Sequence, residues 1–124
     1  MSKAIGMVEY RTVSTGVQAA DIMLKTSSVD ILESSVVCPG KYIVIITGDL
    51  SAVKAAVDAS KTRFSAELID SFVLGNPDEA IFSAIYGATE VKDVKALGIL
   101  ETFSAASIIV AADAAAKTSQ VELI

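Results

Sequence analysis

Lys3–Leu32 reads KAIGMVEYRTVSTGVQAADIMLKTSSVDIL, and Lys95–Ile124 reads KALGILETFSAASIIVAADAAAKTSQVELI. The second stretch follows the first at a constant offset of 92 positions, with no gap over 30 residues, and 11 of the 30 pairs are identical. Lys3, Ala4, Gly6, Glu9, Ala19, Ala20, Asp21, Lys25, Thr26, Ser27 and Val29 recur as Lys95, Ala96, Gly98, Glu101, Ala111, Ala112, Asp113, Lys117, Thr118, Ser119 and Val121. Many other pairs exchange similar residues, such as Ile5 for Leu97 and Asp30 for Glu122. An ungapped match of this length marks an internal duplication. The chain therefore reads as one complete unit over residues 3–87, a polar linker over 88–94, and the first third of a second unit over 95–124.

Within the complete unit, the apolar run Ala4–Tyr10 predicts a buried strand. The helix that follows has Ser14 or Thr15 as candidate caps, and Ala19, Ile22, Met23 and Thr26 lie on one face of it. Val29–Val37 reads as a second strand, broken by Pro39-Gly40. Tyr42–Thr47, YIVIIT, is apolar at every position but the last and so reads as a central strand covered on both faces. Asp49 is a candidate cap for a second helix whose inner face is Val53, Ala56, Val57, Ser60 and Phe64. Ala66–Leu74 reads as a fourth strand. Asn76-Pro77-Asp78-Glu79 starts a short helix that Gly87 ends as a left-handed cap. The order is β-α-β-β-α-β, an α+β, ferredoxin-like arrangement in which helices cover one face of an antiparallel sheet. Strand and helix are expected to restart at Lys95, with Val121–Ile124 opening a further strand. Gly6 and Gly98 are expected to mark close backbone approach.

Composition narrows the functional classes. The net charge of −5 argues against a phosphate-binding surface, because nucleic acid needs clustered Lys and Arg. No run of residues is long and apolar enough for a membrane span, and no secretory leader is visible. The single Cys has no internal disulfide partner, which fits a reducing compartment. The absence of His removes the commonest general base and metal ligand. Glu9 and Asp21 recur as Glu101 and Asp113, but no nucleophile or base accompanies these carboxylates, so the chain reads as a non-enzyme. An aliphatic, Ala-rich chain with so little chemistry suits packing or assembly.

Several of these segments resemble one family. Lys3–Glu9, the helix end Ala19-Ala20-Asp21-x-Met23-x-Lys25, Gly48–Ala56 and the strand end Val73-Leu-Gly-Asn-Pro77 resemble the bacterial microcompartment shell-protein domain. The resemblance covers residues 3–87 and resumes at 95. It implies a structural shell protein of the tandem, trimer-forming type, in which three chains imitate a hexamer, tile the shell beside other shell proteins and leave a pore on the three-fold axis. Cys38-Pro39-Gly40-Lys41 stands where other members carry a Gly- and Ser-rich pore loop, and resembles the trimeric members of propanediol-utilisation compartments. There the resemblance implies that Cys38 is a metal ligand to a 4Fe-4S cluster shared by three chains, with Pro39, Gly40 and Lys41 lining the pore. It also implies that Lys25, and its repeat Lys117, lie along an assembly edge.

Each of these residues has a plainer reading. A free Cys is most often a small buried hydrophobe. One thiolate cannot hold a cluster, which takes about four ligands, so symmetry must gather them. Lys25 and Lys117 suit the last turn of a helix as solvated cations, and Lys41 suits an exposed position beside a turn. The rival functions for a ferredoxin-like unit are a small-molecule-binding regulatory domain and a redox carrier. The apolar second-unit segment cannot bury itself alone, so it must pack on the first unit, pair with another chain or remain an aggregation-prone edge.

Overall fold

The structure is a computed structural model that describes residues 3–124. Its sheet is built from β1 (Ala4–Tyr10), β2 (Asp30–Val37), β3 (Lys41–Gly48) and β4 (Leu68–Leu74). The strand order is β2-β3-β1-β4, and each neighbouring pair is antiparallel. Helices α1 (Val13–Thr26) and α2 (Leu50–Arg63) connect them in the β-α-β-β-α-β order of the ferredoxin-like fold. A short α3 (Ala80–Ile85) and a longer α4 (Ala105–Thr118) follow. Among the described residues, no helix is long and apolar enough to cross a membrane.

β1 is buried at every residue because it lies between β3 and β4 and is covered on both faces. On one face Ala4, Val8 and Tyr10 pack with Val44 and Ile46 of β3 against Ala19 and Met23 of α1 and Val53, Ala56 and Val57 of α2. Gly6 shares that face, and a Cβ there would lie 2.6 Å from Val53 Cγ1, so the glycine is what lets α2 approach the strand. On the other face Ile5, Met7 and Ile45 pack against Ile81 of α3 and Ala106 of α4, with Phe72, Phe82, Ile109 and Ala112 around them. The expectation that helices cover one face alone is therefore corrected. YIVIIT and the residues of β1 are apolar on both sides, and α3 and α4 supply the second cover.

The local start and stop signals hold in part. Val53, Ala56, Val57 and Ser60 form the buried stripe of α2. Gly87 takes φ +60 just after α3. Thr12, not Ser14 or Thr15, occupies the cap position of α1, and Asp49 stands at the cap of α2 without a side-chain capping bond.

The second copy behaves differently from the first. α4 has the same span as α1 shifted by the repeat offset, and its cap Ser104 is the counterpart of Thr12. No strand forms over 95–103 or over 121–124, contrary to expectation. Leu97, Ile99 and Leu100 are exposed, and a Cβ built at Gly98 would meet nothing within 4 Å. The cause is the nature of a strand. β1 is hydrogen-bonded on both edges by β3 and β4, which come later in the unit than its first 30 residues. A helix satisfies its backbone internally and forms without those partners; a strand cannot.

Candidate functional site

Two features of the first unit hold the functional candidates, and one residue joins them. The first is the turn between β2 and β3. Gly40 N–H donates to Val37 O at 3.0 Å, and Gly40 adopts φ +116 with nothing within 4 Å of a Cβ built there. The Cys38–Pro39 peptide is cis, and Cys38 is exposed, not the buried hydrophobe of the plainer reading. Cys38 and Lys41 line an open groove of about 360 Å³ whose lining also includes Glu101, Phe103 and Ile108 of the second copy. Among the described residues, no group of three or more His, Cys, Asp and Glu side chains within one chain is placed to hold a metal ion. Among the described residues, Cys38 thus brings one thiol to the turn and belongs to no set of three such ligands within the chain.

Lys41 is not a free cation beside the turn. Its ammonium donates to Glu9 Oε2 at 2.9 Å, and Glu9 is fully buried in β1. The other carboxylate oxygen accepts from the backbone N–H of Ala106 at 3.2 Å, in the first turn of α4. That placement suits an anion, because the first turn has unpaired N–H donors and the positive end of the helix dipole.

The second feature is the contact of α4 with the sheet. At its N-terminus, Ser104 and Ser107 donate hydroxyl bonds to Asp70 Oδ2 of β4, and Ser107 N–H donates to Ser104 Oγ at 3.1 Å as a cap. Asp70 is held below the usual carboxylate range chiefly by the Ser104 hydroxyl, against an opposing effect of burial. Towards its C-terminus, Asp113 is buried. It accepts from Asp78 N–H at 2.7 Å and from Lys117 Nζ at 2.8 Å, while Lys117 also donates to Asn76 O at 2.7 Å. Between these polar ends the helix lays Ala106, Ile109 and Ala112 on the sheet.

The repeat makes α1 a control for α4. The buried stripe of α1 is Thr15, Gly16, Ala19, Ala20 and Met23, packed on its own unit's sheet. Four of the residues that α4 docks, Ala106, Ile109, Asp113 and Lys117, correspond to Ser14, Val17, Asp21 and Lys25 of α1, and all four of these are exposed. The same helix therefore has two working faces, one for its own sheet and one for the opposite side of a neighbouring unit's sheet. The pair Asp21–Lys25 repeats the Asp113–Lys117 spacing at 2.7 Å but stands in solvent, with side chains 59% and 74% exposed.

Of the residues singled out from sequence, the structure brings Cys38, Pro39, Gly40 and Lys41 together on one turn. Lys117 lies in the contact between the two copies, and Lys25 lies on the open helix face, apart from the turn. Glu9 and Asp113 are visible in the sequence as repeated carboxylates, but with no base or nucleophile beside them the sequence assigns them no role. Their work is to hold groups across the contact: Glu9 the first turn of α4, Asp113 the Asp78 N–H and Lys117. Asp70 carries no signal in sequence, since its importance comes from Ser104 and Ser107, which reach it from the other copy.

Comparison with known proteins agrees with this geometry. The BMC domain family matches residues 4–77 and 96–124. The chain is 40% identical over all its 124 residues to the bacterial microcompartment shell protein PduT of Citrobacter freundii, and spans 67% of that protein. It is 35% identical over 81 residues to the bacterial microcompartment shell protein EutK of Salmonella typhimurium, a match covering 64% of this chain and 49% of EutK. The crystal structure of a microcompartment protein from Desulfitobacterium hafniense superposes with a TM-score of 0.85 at 51% identity, covering 98% of this chain and 68% of that one. A four-stranded β2-β3-β1-β4 sheet, a second copy of its first helix seated on the bare sheet face, and these matches together place the chain in the BMC-domain family of bacterial microcompartment shell proteins.

Proposed function

We propose that the protein tiles a microcompartment shell as a trimer of tandem units, a pseudohexamer whose central opening is lined by Cys38, Pro39, Gly40 and Lys41. One observation carries this reading. The contact of α4 with the first unit joins unlike surfaces, a helix face to a sheet face. The first unit has the same helix face open on α1, where Val13, Val17 and Leu24 are exposed beside Asp21 and Lys25. A heterologous contact that leaves its own counterpart free propagates head to tail, and it ends only by closing a ring or forming a filament. With two units in a chain, a ring of six units takes three chains. The relative PduT is named a shell protein, which fits tiling beside other shell proteins of the same compartment.

The same symmetry supplies what one chain lacks at the turn. Three Cys38 thiolates around an axis provide three of the roughly four ligands of an iron–sulfur centre. The exposure of Cys38 supports that reading over a site buried within one chain. A 4Fe-4S cluster there would supply one-electron transfer through the wall, and the protein's part would be the thiolates and the turn that presents them. Native mass spectrometry of anaerobically purified protein reads subunit count and iron together. Three chains with bound iron is the expected result. A trimer without iron removes the cluster and leaves the ring, and a species that stays monomeric at assembly concentrations overturns both.

A further inference from the structure

Glu9 sits where two separate parts of the molecule meet. One carboxylate oxygen takes the Lys41 ammonium, directly after the Cys38–Gly40 turn, and the other takes the Ala106 N–H of α4. The side chain is fully buried, whereas that of Lys41 is 26% exposed. A carboxylate withdrawn from water needs both of its oxygens met, and neither partner alone does that. We infer that Glu9 is a positioning residue that couples the Cys38 turn to the docking of a neighbouring unit's helix on the sheet. With the helix seated, Lys41 is drawn against β1 and its charge is offset, so the turn stands beside no free cation. With the helix lifted, Glu9 opens to water and loses its second donor. Its pair with Lys41 then becomes an ordinary solvated pair, which holds weakly, and Lys41 is released towards the groove. The charge beside Cys38 is therefore set by whether the adjacent unit is in place. The contact lies within one chain, so the inference stands whether or not three chains close a ring.

Competitive amine labelling with acetic anhydride, read by peptide mass spectrometry, tests this on the chain as it is. Lys54 is exposed on α2 and serves as the internal reference. In the wild type, Lys41 is expected to react several-fold more slowly than Lys54. Ile109→Arg places a charge in the apolar contact and leaves the Glu9 and Lys41 side chains themselves unaltered. Amide exchange over 105–118 reports whether α4 has left. Release of α4 with Lys41 rising to the rate of Lys54 is the expected result, and release of α4 with Lys41 still protected overturns the coupling. If Ile109→Arg leaves α4 seated, Glu9→Gln decides. It removes the charge that holds both partners, so Lys41 labelling and exchange at 105–108 should rise together. A rise in one without the other refutes the role given to Glu9. Amide exchange over α2, whose Val53, Ala56, Val57 and Ser60 are buried on the sheet, must stay unchanged as the check that the fold is intact.

Discussion

Asp113→Ala and Asp21→Ala change the same residue of the same repeated motif, four residues before the same lysine, and the structure says they should differ sharply in cost. Asp113 is 5% exposed and accepts two charge-assisted bonds, from Asp78 N–H and from Lys117. Truncation leaves the Asp78 N–H without that acceptor and opens a gap under α4. Loss of a bond to a charged group costs about 1.5–3 kcal/mol. Lys117 keeps Asn76 O and is 45% exposed, so water offsets part of the remainder. We expect about 2 kcal/mol for Asp113→Ala against about 0.3–0.5 kcal/mol for Asp21→Ala, which gives up a solvated helical ion pair with Lys25. Two readouts separate whole-chain from local loss. Urea unfolding gives the midpoint shift, and amide exchange over α4 gives local opening. If α4 opens alone, exchange over 105–118 rises by about 30-fold, which is what ~2 kcal/mol converts to, while the sheet keeps its protection. Equal effects at the two positions would refute the argument, because they would mean that Asp113 is as solvated as Asp21 and that α4 is not seated as described.

Further outcomes follow from the same contacts. Cys38→Ser should abolish iron uptake on anaerobic reconstitution and leave the melting temperature within about 1 °C, since Ser is close in size and the residue is exposed on a turn; equal iron in the variant would sink the cluster. The carboxyl of Asp70 is lowered from 3.8, so its contribution is complete above that pH and is lost as the pH falls through its folded value; exchange at 104–108 should rise in this acid window, and Asp70→Asn should reduce that pH dependence. Gly6→Ala should destabilise by about 1–3 kcal/mol in thermal unfolding, because its Cβ would meet Val53 and Val57 at 2.6 and 2.9 Å. Lys25→Asp should weaken assembly while leaving circular dichroism unchanged; undiminished assembly by electron microscopy would argue against any edge role for Lys25.

How far the chain can be read without its structure follows from which interactions are local. YIVIIT lacks the alternation of a half-solvated strand, so its central place is legible, and the spacing of Val53, Ala56, Val57 and Ser60 marks the inner face of α2. The repeat places α4 because a helix is specified by its own residues. It misplaces a strand at 95–101 because a strand is specified by its neighbours, and the neighbours belong to later parts of the unit. The contact residues are hidden for a related reason. Glu9, Asp70 and Asp113 each act on a group far away in sequence: Ala106, Ser104 and Asp78. Nothing local distinguishes them from solvated acids, and Asp21 shows that one motif takes either part. What decides is the second face of the helix. In α1 the face towards its own sheet is occupied and the Asp21 face is open; in α4 the Asp113 face is occupied instead. The face that α4 buries on the sheet is the face that α1 leaves open, although Ala20 and its counterpart Ala112 are covered in both. That is why the open face of α1 is read as awaiting another unit, and not as a solvated surface that happens to carry Val13, Val17 and Leu24.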